Sequence, residues 1–291
     1  MAADERMNGW EQRKEHSNIF WLALMSWLGL HLGRRFARAL LWPIVLFYSV
    51  FDARGRSASR ELLRRLVPPA ATLWNVLRHF HAFASVLLDR LYLLSDRLHY
   101  FRVNTITPEA LLQHVAQGRG CVMLMAHFGS FEVMRVLGAR QEHLRVRVVM
   151  DLQHSARFMA MARTLNPQFA DDIIDASVGG PALVLQLKAA LDAGHIVGMM
   201  ADRSWGREPT VAVQFLGGTA HLPSSAWLLA SALKAPVFLG FGVYQGGNRY
   251  ELHCEKFSDS LDTPRNQRAQ AVQAWAQAYA VRLEQHVRAA P

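Results

Sequence analysis

The pattern of apolar and polar positions changes character twice along the chain. Residues 18–33 (NIFWLALMSWLGLHLG) and 36–51 (FARALLWPIVLFYSVF) are apolar almost throughout, with Arg34 and Arg35 between them. Residues 52–66 (DARGRSASRELLRRL) are strongly basic, and residues 72–94 (TLWNVLRHFHAFASVLLDRLYLL) read as one amphipathic to fully apolar helix. From about residue 108 short apolar runs alternate with helical patterns. PEALLQHVAQG reads as a helix stopped by Gly118, and CVMLMA (121–126) as a continuous apolar strand buried on both faces. FEVMRVLGARQ, SARFMAMARTL, PALVLQLKAALDAG (181–194) and SSAWLLASALKA read as helices, the third with proline at its start and glycine at its end. RVRVVMD (145–151), DDIIDA, HIVGMMAD (195–202), VAVQFLG (211–217) and PVFLGFGVY read as strands. RYELHCEKF alternates, which suits an outer strand, and a last helix is expected over about 265–288. Alternation of this kind predicts an α/β fold, a mostly parallel central sheet flanked by helices.

The first 66 residues are expected to form helices associated with a membrane, and residues 67–291 the catalytic domain. The segment lacks the short positive leader and the small-residue site of a cleavable signal peptide. The 16-residue run 36–51 would be about 24 Å long as a helix, short of a ~30 Å hydrocarbon core. A two-pass hairpin would also carry Arg34 and Arg35 to the outer side, against the positive-inside tendency. Helices lying on or in the cytoplasmic leaflet, anchored by tryptophan and arginine, fit better. A single tilted span and a helical pair buried in the protein's own core are the alternatives.

Composition adds little to this. The 291 residues carry a formal charge of +9, nearly all from arginine, since the only lysines are Lys14, Lys188, Lys234 and Lys256. Such a surface suits anionic lipid headgroups or an acidic carrier protein. The arginines are scattered without aromatic interleaving, which argues against a nucleic-acid partner. Cys121 and Cys254 form no C-x-x-C pair, so neither a zinc site nor a disulfide framework is expected, and no metal site is assigned.

The chemistry concentrates where the strand 121–126 ends. His127 follows it directly, Gly129 permits a tight turn, and Glu132 comes five positions after the histidine. On one continuous helix that spacing separates the two by about 140°. With the histidine on the strand and the glutamate in the first helical turn, the carboxylate can reach back to one imidazole nitrogen. That contact would fix the tautomer and make the other nitrogen the better base. The position also matches the carboxyl edge of the sheet, where open α/β folds bind ligands. Asp202 and Arg203 end the strand 195–202 and belong to the same edge. Arg203 suits a phosphate group, or a plain ion pair with Asp202. Arg135, one turn beyond Glu132, is a second cation, on a helix face that can equally be solvated. A core histidine bonded to Glu132 for stability is the bland alternative for His127. His79, His81 and His221 read as ordinary surface or edge residues. No G-x-S-x-G elbow is present.

The H-x4-E spacing, alone, is weak. Together with GRR before an apolar helix, LLDRLYLL, GRG-x5-AHFGSFEVMR, ADRSWG (201–206), QFLGG (214–218), HLPSS (221–225) and KAPVFLGFGVYQGGNRYEL, the chain resembles the lysophospholipid acyltransferase superfamily. More narrowly it resembles the branch of late acyltransferases of lipid A biosynthesis, over most of its length. The resemblance implies a glycerol-phosphate acyltransferase-like fold. It implies His127 as the base that deprotonates an acceptor hydroxyl, with Glu132 orienting it and stabilising its charge. The hydroxyl would attack an acyl thioester of acyl carrier protein or coenzyme A, a co-substrate; no metal or organic cofactor is implied. Backbone amides around Gly129 and Ser130 are the expected oxyanion donors. Phe215 and Gly217 match the family's motif beside the acyl pocket, and Pro223 its proline-bearing turn. The implied acceptor is a membrane lipid or glycolipid at the cytoplasmic face of a bacterial inner membrane. Ser130, where many relatives carry asparagine, and Ser224–Ser225 depart from the family pattern and leave the acceptor open. An aryl-polyene or a lipoamino acid is a rival acceptor, and a catalytically silent membrane-binding protein is the rival of a different class.

Overall fold

The computed structural model describes residues 29, 33–66, 72–107, 109–134, 145–153, 155–204 and 208–290. Trp21, Trp27, the expected boundary after residue 66, Arg135 and Trp205 lie outside the described residues. Among the described residues three helices precede the first strand: α1 (Arg34–Phe51), α2 (Ala53–Leu66) and α3 (Leu73–Leu94). Thr72 caps α3 by accepting the Asn75 amide. Then follow β1 (Arg102–Ile106), α4 (Glu109–Ala116), β2 (Cys121–Gly129) and a 3-10 turn (Phe131–Met134). The next unit comprises β3 (Val146–Met150), α5 (Ala156–Leu165), α6 (Pro167–Asp171), β4 (Ile173–Asp175), α7 (Gly180–Asp192) and β5 (Ile196–Met200). A hairpin of β6 (Thr210–Phe215) and β7 (Gly218–Pro223) precedes α8 (Ser225–Leu233), β8 (Val237–Tyr244), β9 (Arg249–Ser258) and α9 (Arg268–Ala289).

The seven strands of the main sheet run in the order β1-β9-β8-β2-β5-β3-β4. Among the described residues only the β8–β9 pairing of this sheet is antiparallel. The expected α/β fold is therefore the observed one. Two expectations change in detail. β9 is not the outer strand, because β1 pairs along its free side in parallel. The run 211–217 is not part of the main sheet but half of a separate two-stranded hairpin.

β2 is the central strand, and its side chains alternate between two cores. Val122, Leu124 and Ala126 face a cluster built with α7, α8 and α9. Cys121, Met123 and Met125 face a second cluster built with α3 and α4. A strand covered on both sides has no polar face, which explains the uninterrupted apolar run. Burial pushes both thiols, Cys121 and Cys254, up to about 12, which leaves neither a ready nucleophile.

The N-terminal helices are joined to this body. Arg34 at the start of α1 makes a bidentate pair with Asp89 of α3, both bonds 2.7 Å, and Tyr250 of β9 donates to the same carboxylate at 2.9 Å. Asp89 is fully buried, so its charge needs those three donors. Leu62 and Leu66 of α2 pack against the core on the α9 side. The far half of α1 is different. Leu46, Phe47, Tyr48, Val50 and Phe51 are exposed, as are Leu73, Trp74, Phe83 and Leu87 of α3. Trp42 and Trp74 stack at 6.0 Å between the two helices. Among the described residues no single helix is long and apolar enough to cross a membrane; α1 and α2 pass that test only together, bent by 96°.

Candidate active site

The carboxyl ends of β2 and β5 lie side by side. Met125 pairs with Met200 in parallel register. His127 and Asp202 are each two residues further on, so register alone brings them together. The His127 Nδ1 lies 3.0 Å from an Asp202 oxygen, and the His127 amide donates to the other oxygen at 2.8 Å. With a carboxylate accepting at Nδ1, the proton sits there and Nε2 carries the lone pair. The imidazole is 35% exposed and the carboxylate 17%. The base of this arrangement is rigid. The Met125 carbonyl accepts from the Ala201 amide at 3.0 Å and from the buried Tyr279 hydroxyl of α9 at 2.9 Å.

Glu132 does not fill the place expected of it. Gly129 adopts φ +75° and lies against the backbone of β8, where an added Cβ would meet the Gly242 carbonyl at 1.9 Å. Only glycine fits so close an approach. The chain then turns inward, and Ser130 and Glu132 are both buried. The Ser130 hydroxyl donates to Glu132 at 2.7 Å, and the other carboxylate oxygen pairs with Arg90 of α3. Arg90 in turn lies over the rings of Phe131 and Phe158. Glu132 thus ties the turn to α3 under the sheet, while Asp202 contacts the histidine. The Ser130 amide is taken by the Gly242 carbonyl at 2.9 Å, which removes it as an oxyanion donor. The rest of the expected helix, with Arg135, falls outside the described residues.

Beside the dyad a cavity of about 330 Å³ opens. His127, Phe128 and Asp202 form one end, Val213, Phe215, Ala220 and Leu222 of the hairpin one wall, and Ala280, Leu283 and Val287 of α9 another. The lining is apolar apart from His127, Asp202 and His221. His221 on β7 is exposed, as expected of a surface or edge residue, and the hairpin also sets it at the rim of the cavity. Its signal in sequence was its place in HLPSS, four residues beyond the hairpin turn. Gly217 and Leu216 make that turn, with φ of +72° and +50°. A two-residue hairpin loop of this hand needs both angles positive. For a leucine that conformation costs about 1–2 kcal/mol. Pro223 ends β7 opposite Thr210. Arg203 is exposed beside Asp202. Although its surface is exposed, partial desolvation by the surrounding chain draws its pKa below the ordinary value, against the pull of the Asp202 charge.

Fold and site together define an α/β enzyme whose histidine–carboxylate pair stands at adjacent strand ends beside an apolar cavity. Over residues 9–291 the sequence matches the family described as bacterial lipid A biosynthesis acyltransferase, and the chain belongs to that family. No curated protein matches it. The protein is therefore an acyltransferase of the lipid A type. Among the described residues no group of three or more His, Cys, Asp or Glu side chains could hold a metal ion.

Proposed function

We propose that the protein transfers a fatty acyl group from an acyl thioester to a hydroxyl of a lipid or glycolipid, with His127 as general base. The contact between His127 and Asp202 at the mouth of the apolar cavity carries this reading. His127 Nε2 takes the hydroxyl proton as the oxygen attacks the thioester carbon. The new O–C bond forms, the C–S bond breaks, and the imidazolium returns the proton to the departing thiolate. Asp202 stabilises the imidazolium formed between those steps and holds the ring in the competent tautomer. The acyl chain occupies the cavity between hairpin and α9, which matches its apolar lining. His221 supplies an N–H donor for the oxyanion, the role that the Ser130 amide cannot take. Arg203 receives the anionic part of the donor, either the phosphopantetheine of a carrier protein or coenzyme A. No cofactor enters this scheme.

The acceptor is a membrane amphiphile in the same reading, met at the cytoplasmic face of the bacterial inner membrane. Exposed apolar side chains of α1 and α3 beside the arginines of α2 support that placement. Purified protein incubated with acyl thioesters of both carriers and a bacterial membrane extract tests it, with lipid masses as readout. One lipid is expected to gain one acyl group, and His127→Ala to abolish the gain while leaving membrane association intact. A wild-type protein that binds the membrane yet acylates nothing would favour the silent scaffold.

A further inference from the structure

Among the described residues β6 has β7 along one edge and no strand along the other. A bare strand edge presents unpaired amides and carbonyls. Here α9 supplies side chains to them. Gln273 donates to the Ala212 carbonyl. Gln277 accepts the Gln214 amide at 2.8 Å and donates to the Gln214 carbonyl at 3.1 Å. Glu284 accepts the Leu216 amide at 2.6 Å. The three strand residues alternate, as one edge of a strand requires. The three helix residues are four and eleven apart, so they share one face. Arg65 of α2 donates to the Leu216 carbonyl at 3.4 Å.

The rungs of this ladder are not evenly filled. Between Gln277 and Glu284, on the same helix face, stands Ala280, and it lines the apolar cavity. The helix that fastens the hairpin thus places its smallest cavity-lining side chain between two rungs, beside Leu283 and Val287 in the same wall. Phe215, next to Leu216, is part of the opposite wall.

We propose that the ladder of Gln273, Gln277 and Glu284 positions the β6–β7 wall, and that Ala280 sets the depth behind it, so that together they select the length of the acyl chain. The proposal rests on the reading of the cavity as the acyl site. The ladder residues touch backbone and not substrate, so they are positioning residues. Ala280 is the specificity-determining contact.

The test uses the full chain and saturated fatty acids from decanoate to stearate as probes, each displacing a fluorescent fatty acid, with thermal melting recorded for every variant. A rigid apolar pocket discriminates against a misfitting methylene by about tenfold or more. Ala280→Val is expected to move the preference to shorter chains. Glu284→Ala is expected to flatten the profile to about twofold between neighbouring lengths, because the wall can then yield. Glu284→Gln retains an acceptor for the Leu216 amide and is expected to restore the wild-type profile. Gln277→Leu, which removes two bonds, should flatten the profile as Glu284→Ala does, and it carries the test if that variant does not fold. If Ala280→Val shifts the preference while both ladder variants melt lower with an unchanged profile, the ladder is only structural and the proposal falls. If Ala280→Val leaves the profile unchanged, the cavity is not the acyl site, and the underlying reading falls with it.

Discussion

At the scale of single residues, two carboxylates compete for the role of His127's partner, and burial separates them. Glu132 is enclosed with Ser130 and Arg90, whereas Asp202 is bonded to the imidazole and partly open to solvent. Asp202→Asn should therefore reduce turnover by about 10²-fold or more with little change in melting, since the amide no longer stabilises the imidazolium. Glu132→Gln should do the reverse first. It leaves a guanidinium without its counter-charge and should lower unfolding free energy by about 1–3 kcal/mol, with activity falling as structure is lost. Denaturant unfolding and turnover measured on the same preparations distinguish the two. The histidine itself was legible in sequence, as a polar residue ending a run that is buried on both faces. Its partner was expected to be Glu132, and the signal for Asp202 lay elsewhere. MAH at 125–127 and MAD at 200–202 have equal offsets on two strands that pair in register. What the spacing of five could not show was the direction of the chain after Gly129, which the close approach to Gly242 decides.

At the scale of elements, the joints between helices and sheet govern both stability and the site. Removing one partner of a buried ion pair costs roughly 3–5 kcal/mol. Arg34→Ala should lose that amount in denaturant unfolding, because the Asp89 carboxylate is fully buried and would be left without its counter-charge. Glu284 gives a joint that titrates. The Leu216 amide first, and then Arg288, hold its pKa below the ordinary carboxylate value. A depressed folded pKa means that this stabilisation is complete above the unfolded value and is lost as pH falls through the folded one. Melting temperature should therefore drop below about pH 4, and Glu284→Gln should make that drop shallower. The elements themselves were mostly readable, because helices of period 3.6 and doubly buried strands leave different patterns. β1 was not expected: RVNTI is short, polar at alternate positions and exposed along its edge. β9 was given the outer position for the same reason, since an alternating strand looks alike with or without a neighbour. The hairpin's separation from the main sheet depends on side chains of α9 far along the chain, which no local pattern reveals.

At the scale of the whole molecule, the cavity and the exposed apolar surface belong to one connected body. α2 carries Arg54 and Arg64 on its exposed side, while its Arg65 reaches the hairpin that walls the cavity. Each basic residue near an anionic surface contributes about 1 kcal/mol. Arg54→Ala with Arg64→Ala should thus weaken binding to phosphatidylserine vesicles by about 30-fold, with a smaller effect at high salt and none on neutral vesicles. Phe47→Ala with Trp74→Ala should weaken binding to both kinds of vesicle. Flotation assays check each case. The account as a whole stands on an imidazole oriented by Asp202 removing a proton beside an acyl thioester. Turnover of wild type, His127→Ala and Asp202→Asn on one thioester and one membrane extract, with folding verified by circular dichroism, tests that most directly. The account predicts that both variants stay folded and lose acyl transfer; a folded Asp202→Asn variant with undiminished transfer would contradict it.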